Sequence, residues 1–246
     1  MRRLLLALAA TTFFVSSAHA DSVNVAVAAN FTDAANEIAA AFAEATDHEA
    51  ILSFGATGQL YTQITQGAPF QVLLAADDQR PALSVQEGYG VDGSVFTYAI
   101  GQLVLYSVEE GKVTGPETLE TVDFQQIAIA NPETAPYGKT AVETMQSLGL
   151  YETLQPKIVQ GQNIGQTYQF IETGNAEVGF VALGQVSQTE AGSRWLVPQE
   201  HYTLIRQDAV LLKTGESNPA ATAFVDFLKG DTASAIIEKY GYALDR

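Results

Sequence analysis

The spacing of apolar residues changes period repeatedly along the chain, and each change marks an element. Val23, Val25 and Val27 alternate with small or polar residues, the period-two signature of a strand. The period then lengthens. Phe31, Ala34, Ala35, Ile38, Phe42 and Ala45 fall on one stripe of a helix. A second strand over 50–54 runs into Gly55-Ala56-Thr57-Gly58-Gln59, followed by a helix with Leu60, Tyr61 and Ile64 inward. The unbroken apolar run 70–76 reads as a strand buried on both faces. Asp77 and Asp78 open a further helix, and 99–106 reads as one long strand.

The second half has the same rhythm. A strand over 126–130 leads through Asn131-Pro132-Glu133-Thr134-Ala135-Pro136-Tyr137-Gly138 into a helix carrying Val142, Met145 and Leu148 inward. Strand 157–160 leads through Asn163-Ile164-Gly165 into a helix with Tyr168 and Ile171 inward. Residues 177–183 form another buried strand, and 201–212 a strand or strand pair returning to the first half. Asn218-Pro219 is a cap followed by Pro at the first helical position, and 231–240 is the last helix. Strands alternating with helices give an α/β fold with mostly parallel sheets.

Four strand–loop–helix junctions carry the chemistry: Ala28-Ala29-Asn30-Phe31-Thr32, Gly55-Ala56-Thr57-Gly58, the Tyr137-Gly138 turn and Asn163-Ile164. The first N–H groups of a helix lack internal acceptors and sit at the positive end of its dipole, which makes such a junction a ready anion site. Asn30 and Thr32 are also ordinary N-cap types. The first loop alone leaves both readings open. Junctions from neighbouring βα units open at the same sheet edge, where such folds bind ligands.

Composition narrows the setting. Met1-Arg2-Arg3, an apolar run over 4–15 and Ala18-His19-Ala20 make a secretory signal peptide over 1–20, cleaved before Asp21. The expected location is a bacterial periplasm or its equivalent. The chain carries 12 Lys and Arg against 28 Asp and Glu, a net charge of −16 that becomes −18 once Arg2 and Arg3 are removed. Such a surface repels nucleic acid and anionic membranes. It repels small anions at long range as well, so an anion site here has to work through local geometry. With no cysteine there is neither a disulfide scaffold nor a thiol nucleophile.

Taken together, AVAANF, SFGATGQLYTQI followed two residues on by GAPF, LLAADD, IANPETAPYGKTAVETM, NAEVGFVAL and the closing FVDFLKG with YGY resemble the periplasmic molybdate-binding proteins of ABC transporters. The resemblance runs in order over nearly all of 23–242. It implies a two-lobed periplasmic-binding-protein fold: mixed, mostly parallel sheets flanked by helices and joined by two crossover strands. Lobe 1 would comprise 21–100 plus 203–246, and lobe 2 101–202, with hinges near 99–102 and 200–204. It also implies a tetrahedral oxyanion, molybdate or tungstate, held between the lobes, and a membrane permease as partner of a monomeric protein.

The ligand set is carried over by position. Asn30 and Thr57 stand where many members have Ser, and Ala29 offers only backbone. Tyr137 stands where some members have Ala, and Ile164 stands at a position giving a backbone N–H. Ala182 replaces a Tyr frequent in the family, and Tyr137 supplies the phenol instead from the other side of the cleft. Gln71 replaces a family Asp and is expected to be structural.

Other readings are weighed against this one. No nucleophile elbow, zinc signature or P-loop supports an exported α/β enzyme. Sulfate or another oxyanion would keep the fold and change the ligand. An organic carboxylate calls for an Arg clamp, and Arg80, Arg194, Arg206 and Arg246 all lie outside the junction loops. No cofactor is expected. Asp77 and Asp78 read as helix-capping residues, Lys139 as a partner of Glu143 four residues on, Trp195 as packing, and His48 and His201 as isolated residues outside any metal motif.

Overall fold

A computed structural model describes residues 21–245. The signal-peptide reading of 1–20 lies outside the described residues. The chain runs β1 (Ser22–Ala28), α1 (Thr32–Thr46), β2 (Glu49–Gly55), α2 (Thr57–Thr65), β3 (Val72–Leu74), α3 (Gln79–Gln86), β4 (Phe96–Gly101) and β5 (Leu103–Ser107). It continues through α4 (Glu117–Thr121), β6 (Ile127–Ala130), α5 (Pro136–Ser147), α6 (Tyr151–Leu154), β7 (Ile158–Gly161), α7 (Ile164–Glu172), β8 (Val178–Ala182) and α8 (Leu183–Val186). It ends with β9 (Ser193–Leu196), β10 (Ile205–Leu211), α9 (Pro219–Leu228) and α10 (Asp231–Lys239).

The strands form two five-stranded mixed sheets, ordered β2-β1-β3-β10-β4 and β7-β6-β8-β5-β9. In the first, β1 pairs parallel with β2 and β3, and β10 is antiparallel to β3 and β4. In the second, β6 pairs parallel with β7 and β8, and β5 is antiparallel to β8 and β9. The two halves therefore share one topology, a parallel trio completed by an antiparallel strand that arrives from the other half. The chain passes between the sheets twice, at Gln102 and between β9 and β10.

Both passages correct the sequence reading. The expected single strand over 99–106 is two strands, because the pairing partner changes from β10 to β8 and β9 on either side of Gln102. The expected strand over 201–212 begins only at Ile205, after a 3₁₀ turn at Gln199–His201. In that turn the Gln199 side chain donates to the Tyr202 carbonyl at 2.8 Å, which holds the chain out of the ladder.

Each sheet is covered on both faces by helices, as parallel strands require. Val23, Val25 and Val27 on one face of β1 and Ala26 on the other are all fully buried. Around the first sheet the helices bring Phe31, Phe42 and Phe224 into one cluster, with Phe42 and Phe224 edge-to-face at 5.2 Å. Around the second, Leu103, Phe180 and Tyr137 share the core with Met145 and Leu154. Gln71 is structural, as expected: its Oε1 accepts from the Asn24 N–H at 3.0 Å and from Asn218 Nδ2 at 3.1 Å. Among the described residues no helix is long and apolar enough to cross a membrane.

Candidate anion site

The carboxyl ends of the parallel strands of both sheets face one another, and β1, β2, β6 and β7 each deliver one junction. After β1 the chain makes a 3₁₀ turn, Ala29–Phe31, before α1. This turn overturns the capping reading of the first loop. Asn30 is buried, and its Nδ2 donates to Gln207 Oε1 at 2.6 Å and to Tyr242 Oη at 3.2 Å. The Tyr242 hydroxyl in turn donates to the Asn30 carbonyl at 2.7 Å. Thr32 turns its Oγ1 back onto the Ala29 carbonyl at 2.9 Å. Neither side chain caps α1. The tighter turn carries Asn30 inward, where a buried amide has to find its own partners.

Thr57 opens α2. Its Oγ1 accepts the Ala76 N–H at 3.0 Å, so the hydroxyl is oriented from behind and its own proton is available to a second acceptor. Tyr137 lies in the first turn of α5, after Pro136. Its ring is 1% exposed, and its Oη has no hydrogen-bond partner among the described residues. Burial drives the phenol pKa well above its usual value, the neighbouring tyrosines add to the rise, and the Asn30 amide offsets a little of it. Tyr137 is therefore a neutral donor across the physiological range. Gly101 makes room for it, since a Cβ there would lie 2.1 Å from its Oη. Gly138 lets the first turn of α5 lie against the end of β6, since a Cβ there would lie 2.1 Å from the Ala130 carbonyl oxygen.

Ile164 opens α7, where Asn163 caps the helix by accepting the Gln166 N–H at 3.0 Å. Gln185 Nε2 holds the Ile164 carbonyl at 3.1 Å, while its Oε1 accepts the Ala182 N–H at 3.0 Å. Position 182 therefore serves as backbone support for α7. The N–H groups of the first helical turn, including that of Ile164, have no acceptor inside their own helix.

Asn30, Ala29, Thr57, Tyr137 and Ile164 come together on one cavity, closed further by Ala56, Ala76 and Pro136. Its accessible volume is about 10 Å³. About 10–15 Å³ in this measure holds one water, so the space is water-sized, far below the roughly 300–1,000 Å³ of organic-ligand pockets. Two wider recesses flank it. One, of about 190 Å³, carries Arg80, Lys139 and Arg206 together with Asp77, Asp78, Glu133 and Glu143. The other, of about 500 Å³, is lined by amide side chains including Gln162, Gln166 and Gln169.

The cations of the first recess are engaged. Arg80 pairs with Asp77 at 2.6 Å, Lys139 with Glu143 at 3.8 Å as expected, and Arg206 with Asp245. Asp77 caps α3 as expected, accepting the Arg80 N–H at 2.9 Å, whereas Asp78, at the N-cap position itself, makes no capping bond. The remaining singled-out residues stand apart. His48 Nδ1 accepts the Asp21 N–H, and His201 Nδ1 meets Ser147 Oγ at 2.9 Å. Trp195 packs partly buried on β9.

The lining is neutral and rich in hydrogen-bond donors. Helix N-termini and hydroxyls aimed in advance stabilise an anion without a formal countercharge, because the dipoles need not reorganise when it arrives. Sequence reasoning missed Gln207 and Tyr242, the two residues that hold Asn30. Gln207 is a polar residue at a fully buried strand position, and it stands beside the irregularity in the β10–β4 pairing. In the sequence Gln207 stands between Arg206 and Asp208, ahead of the apolar run from Ala209, so nothing local sets it apart.

The chain is similar to known solute-binding proteins. Residues 23–243 match the family model described as bacterial extracellular solute-binding protein. The chain is 55% identical to the molybdate-binding protein ModA of Rhodobacter capsulatus, over 93% of this chain and 90% of that protein. It is 50% identical to the molybdate-binding protein ModA of Azotobacter vinelandii, over 99% and 98%. A solved structure of a periplasmic molybdate-binding protein of Azotobacter vinelandii superimposes with a TM-score of 0.88 at 38% identity, covering 91% of this chain and all of the other.

Proposed function

The chain belongs to the family of bacterial extracellular solute-binding proteins, and from that premise we propose that it captures molybdate or tungstate and hands it to the permease of an ABC transporter. The observation that carries this reading is the convergence of Asn30, Ala29, Thr57, Tyr137 and Ile164 on one small cavity. The relatives' names supply the ligand class. Asn30 and Tyr137 contribute side-chain donors, Thr57 its hydroxyl, and Ala29 and Ile164 backbone N–H groups. A lining that meets its ligand chiefly with N–H and O–H donors favours a fully deprotonated tetrahedral dianion. A hydrogen phosphate would bring an O–H that one of these hydroxyls has to accept in place of donating, at the cost of a bond to the anion.

The protein does no chemistry on its ligand. It acts as a periplasmic monomer, exported by the segment 1–20. Lobe 1 comprises 21–100 plus 203–246 and lobe 2 101–202, and the two close by hinge motion about 99–102 and 200–204. The recess carrying Arg80, Lys139 and Arg206 shares Ala76, Ala135 and Pro136 with the cavity, which suits it as the way in.

Thermal melting of the mature protein with molybdate, tungstate, sulfate and phosphate at matched salt tests the proposal. A ligand that binds only the folded state raises the melting temperature with its affinity. Large shifts with molybdate and tungstate, and small ones with sulfate and phosphate, are expected. A shift with sulfate alone would move the ligand, and no shift with any of the four in anion-stripped, folded protein would remove the proposal.

A further inference from the structure

Behind Asn30 lies a buried pair of amides whose hydrogen bonds do not balance. Asn30 Nδ2 has two hydrogens, and both are committed, one to Gln207 Oε1 at 2.6 Å and one to Tyr242 Oη at 3.2 Å. In that arrangement the Asn30 side chain has no hydrogen left for a ligand. Gln207 is fully buried, and its Nε2, with two hydrogens of its own, has no partner among the described residues. An unmet buried donor is costly, and a strand position inside a core would ordinarily hold an apolar residue. Gln207 lies on β10, at the residue where its register against β4 shifts. Irregularities of this kind re-aim side chains and concentrate beside functional sites.

Turning both amides over repairs the imbalance. A half-turn of each places Gln207 Nε2 where its Oε1 stood and Asn30 Oδ1 where its Nδ2 stood. The short contact between the two becomes Nε2–H donating to Oδ1. Tyr242 keeps its bond to the Asn30 carbonyl. The Asn30 Nδ2 is then released from Gln207 and Tyr242 and has hydrogens to offer.

We propose that Gln207 is a positioning residue of the anion site: with an oxyanion bound, its Nε2 donates to Asn30 Oδ1 and so turns the Asn30 N–H groups toward the anion. This rests on the proposed molybdate site and adds to it a residue that touches no ligand. It also gives the amide a reason to stand in a buried strand, since only a side chain with both a donor and an acceptor serves both arrangements. A glutamate retains the acceptor alone, and a methionine neither.

The test is a double-mutant cycle on molybdate affinity, measured by calorimetry, using wild type, Asn30→Ala, Gln207→Met and the double variant. Gln207→Met is expected to weaken binding about tenfold with Asn30 present, and by less than about twofold in the Asn30→Ala background. Gln207→Glu, close in shape, is the deciding substitution should the methionine variant not fold. It is expected to cost more than Met does with Asn30 present, since a carboxylate pins the Asn30 N–H groups to itself, and the excess is expected to vanish once Asn30 is replaced by alanine. Equal costs in the two backgrounds would make Gln207 merely structural and overturn the inference, with the anion site intact. Absence of molybdate binding by the wild-type protein, or an Asn30→Ala variant binding as well as wild type, would instead remove the site reading itself, and this inference with it.

Discussion

The Gly58 N–H donates to the Thr134 carbonyl at 2.9 Å, a backbone hydrogen bond that ties the first turn of α2 directly to the loop ahead of α5. One residue belongs to the first sheet's half and the other to the second's, so this bond spans the cleft beside the cavity. A Cβ at Gly58 would stand 3.1 Å from both the Thr134 Cα and its carbonyl oxygen, and 3.3 Å from the Arg80 guanidinium. The Thr134 atoms are backbone and cannot rotate aside. Gly58→Ala is therefore expected to hold the halves apart by tenths of an ångström and to weaken molybdate binding about tenfold, or ~1.4 kcal/mol. Ala favours a helix over Gly by up to about 1 kcal/mol, so melting without ligand should be unchanged or slightly higher. Calorimetry alongside melting separates the two effects, and unchanged affinity would show that this contact does not limit closure.

Thr57 serves two partners at once, the Ala76 N–H and, on the proposed reading, the anion. Thr57→Ser keeps the hydroxyl and should bind within about threefold of wild type. Thr57→Val keeps the shape and loses both bonds. It should cost about 1–3 kcal/mol of anion binding, and roughly 1–3 kcal/mol of stability as well, because the buried Ala76 N–H is left unmet. Titration and denaturant melts of the pair decide it. A valine variant that binds as tightly as the serine one would remove Thr57 from the ligand set.

Asp208, next to Gln207, is buried on β10 and accepts from Thr97 Oγ1 at 2.7 Å. Burial raises its pKa from 3.8, and Asp78 and Asp77 add to the rise against the opposing pull of the Thr97 bond and Arg206. With the folded value above the unfolded one, the folded state takes up its proton first as pH falls. The stability this group contributes is full below the unfolded pKa and lost as pH rises through the folded value. Asp208→Asn keeps an acceptor for Thr97 and carries no charge. It should melt higher than wild type at neutral pH, and the gain should vanish toward pH ~3. A gain that is the same at every pH would mean that the carboxylate's ionisation is not its cause.

The four strand–helix junctions were legible because each is a change of period punctuated by Gly, Asn, Thr or Pro, all of it local. What lies behind them was not. Gln207 and Tyr242 reach Asn30 across 177 and 212 residues of sequence, and nothing near either announces the contact. The shared topology of the two halves also left no trace as a sequence repeat. It resides in where the chain crosses, and the antiparallel strand of each sheet comes from the far side of a crossing. β9 is silent in the sequence for a third reason: Ser193–Leu196 is a short edge strand, part-buried to exposed, without alternation to mark it. The 3₁₀ turn at Asn30 looked like a cap because Asn and Thr suit both, and only the buried partners decide between them.

Tyr137 makes the site's stability and its affinity pull in opposite directions. Its Oη is buried without a partner among the described residues, and an unmet buried hydroxyl destabilises by about 1–3 kcal/mol. Tyr137→Phe removes the hydroxyl and leaves the ring, which packs with Leu103, Phe180 and Met145. Without ligand the variant should therefore be as stable as wild type or up to about 1 kcal/mol more stable. With molybdate the order should reverse, since the variant lacks one donor to a dianion and loses about 1.5–3 kcal/mol of binding, roughly 10- to 150-fold. A ligand titration followed by melting would show the two curves crossing as molybdate is added. Curves that stay parallel would mean that the Tyr137 hydroxyl does not reach the anion. Because burial holds the phenol neutral far above the working pH, the wild-type advantage should be flat from pH 6 to about 9.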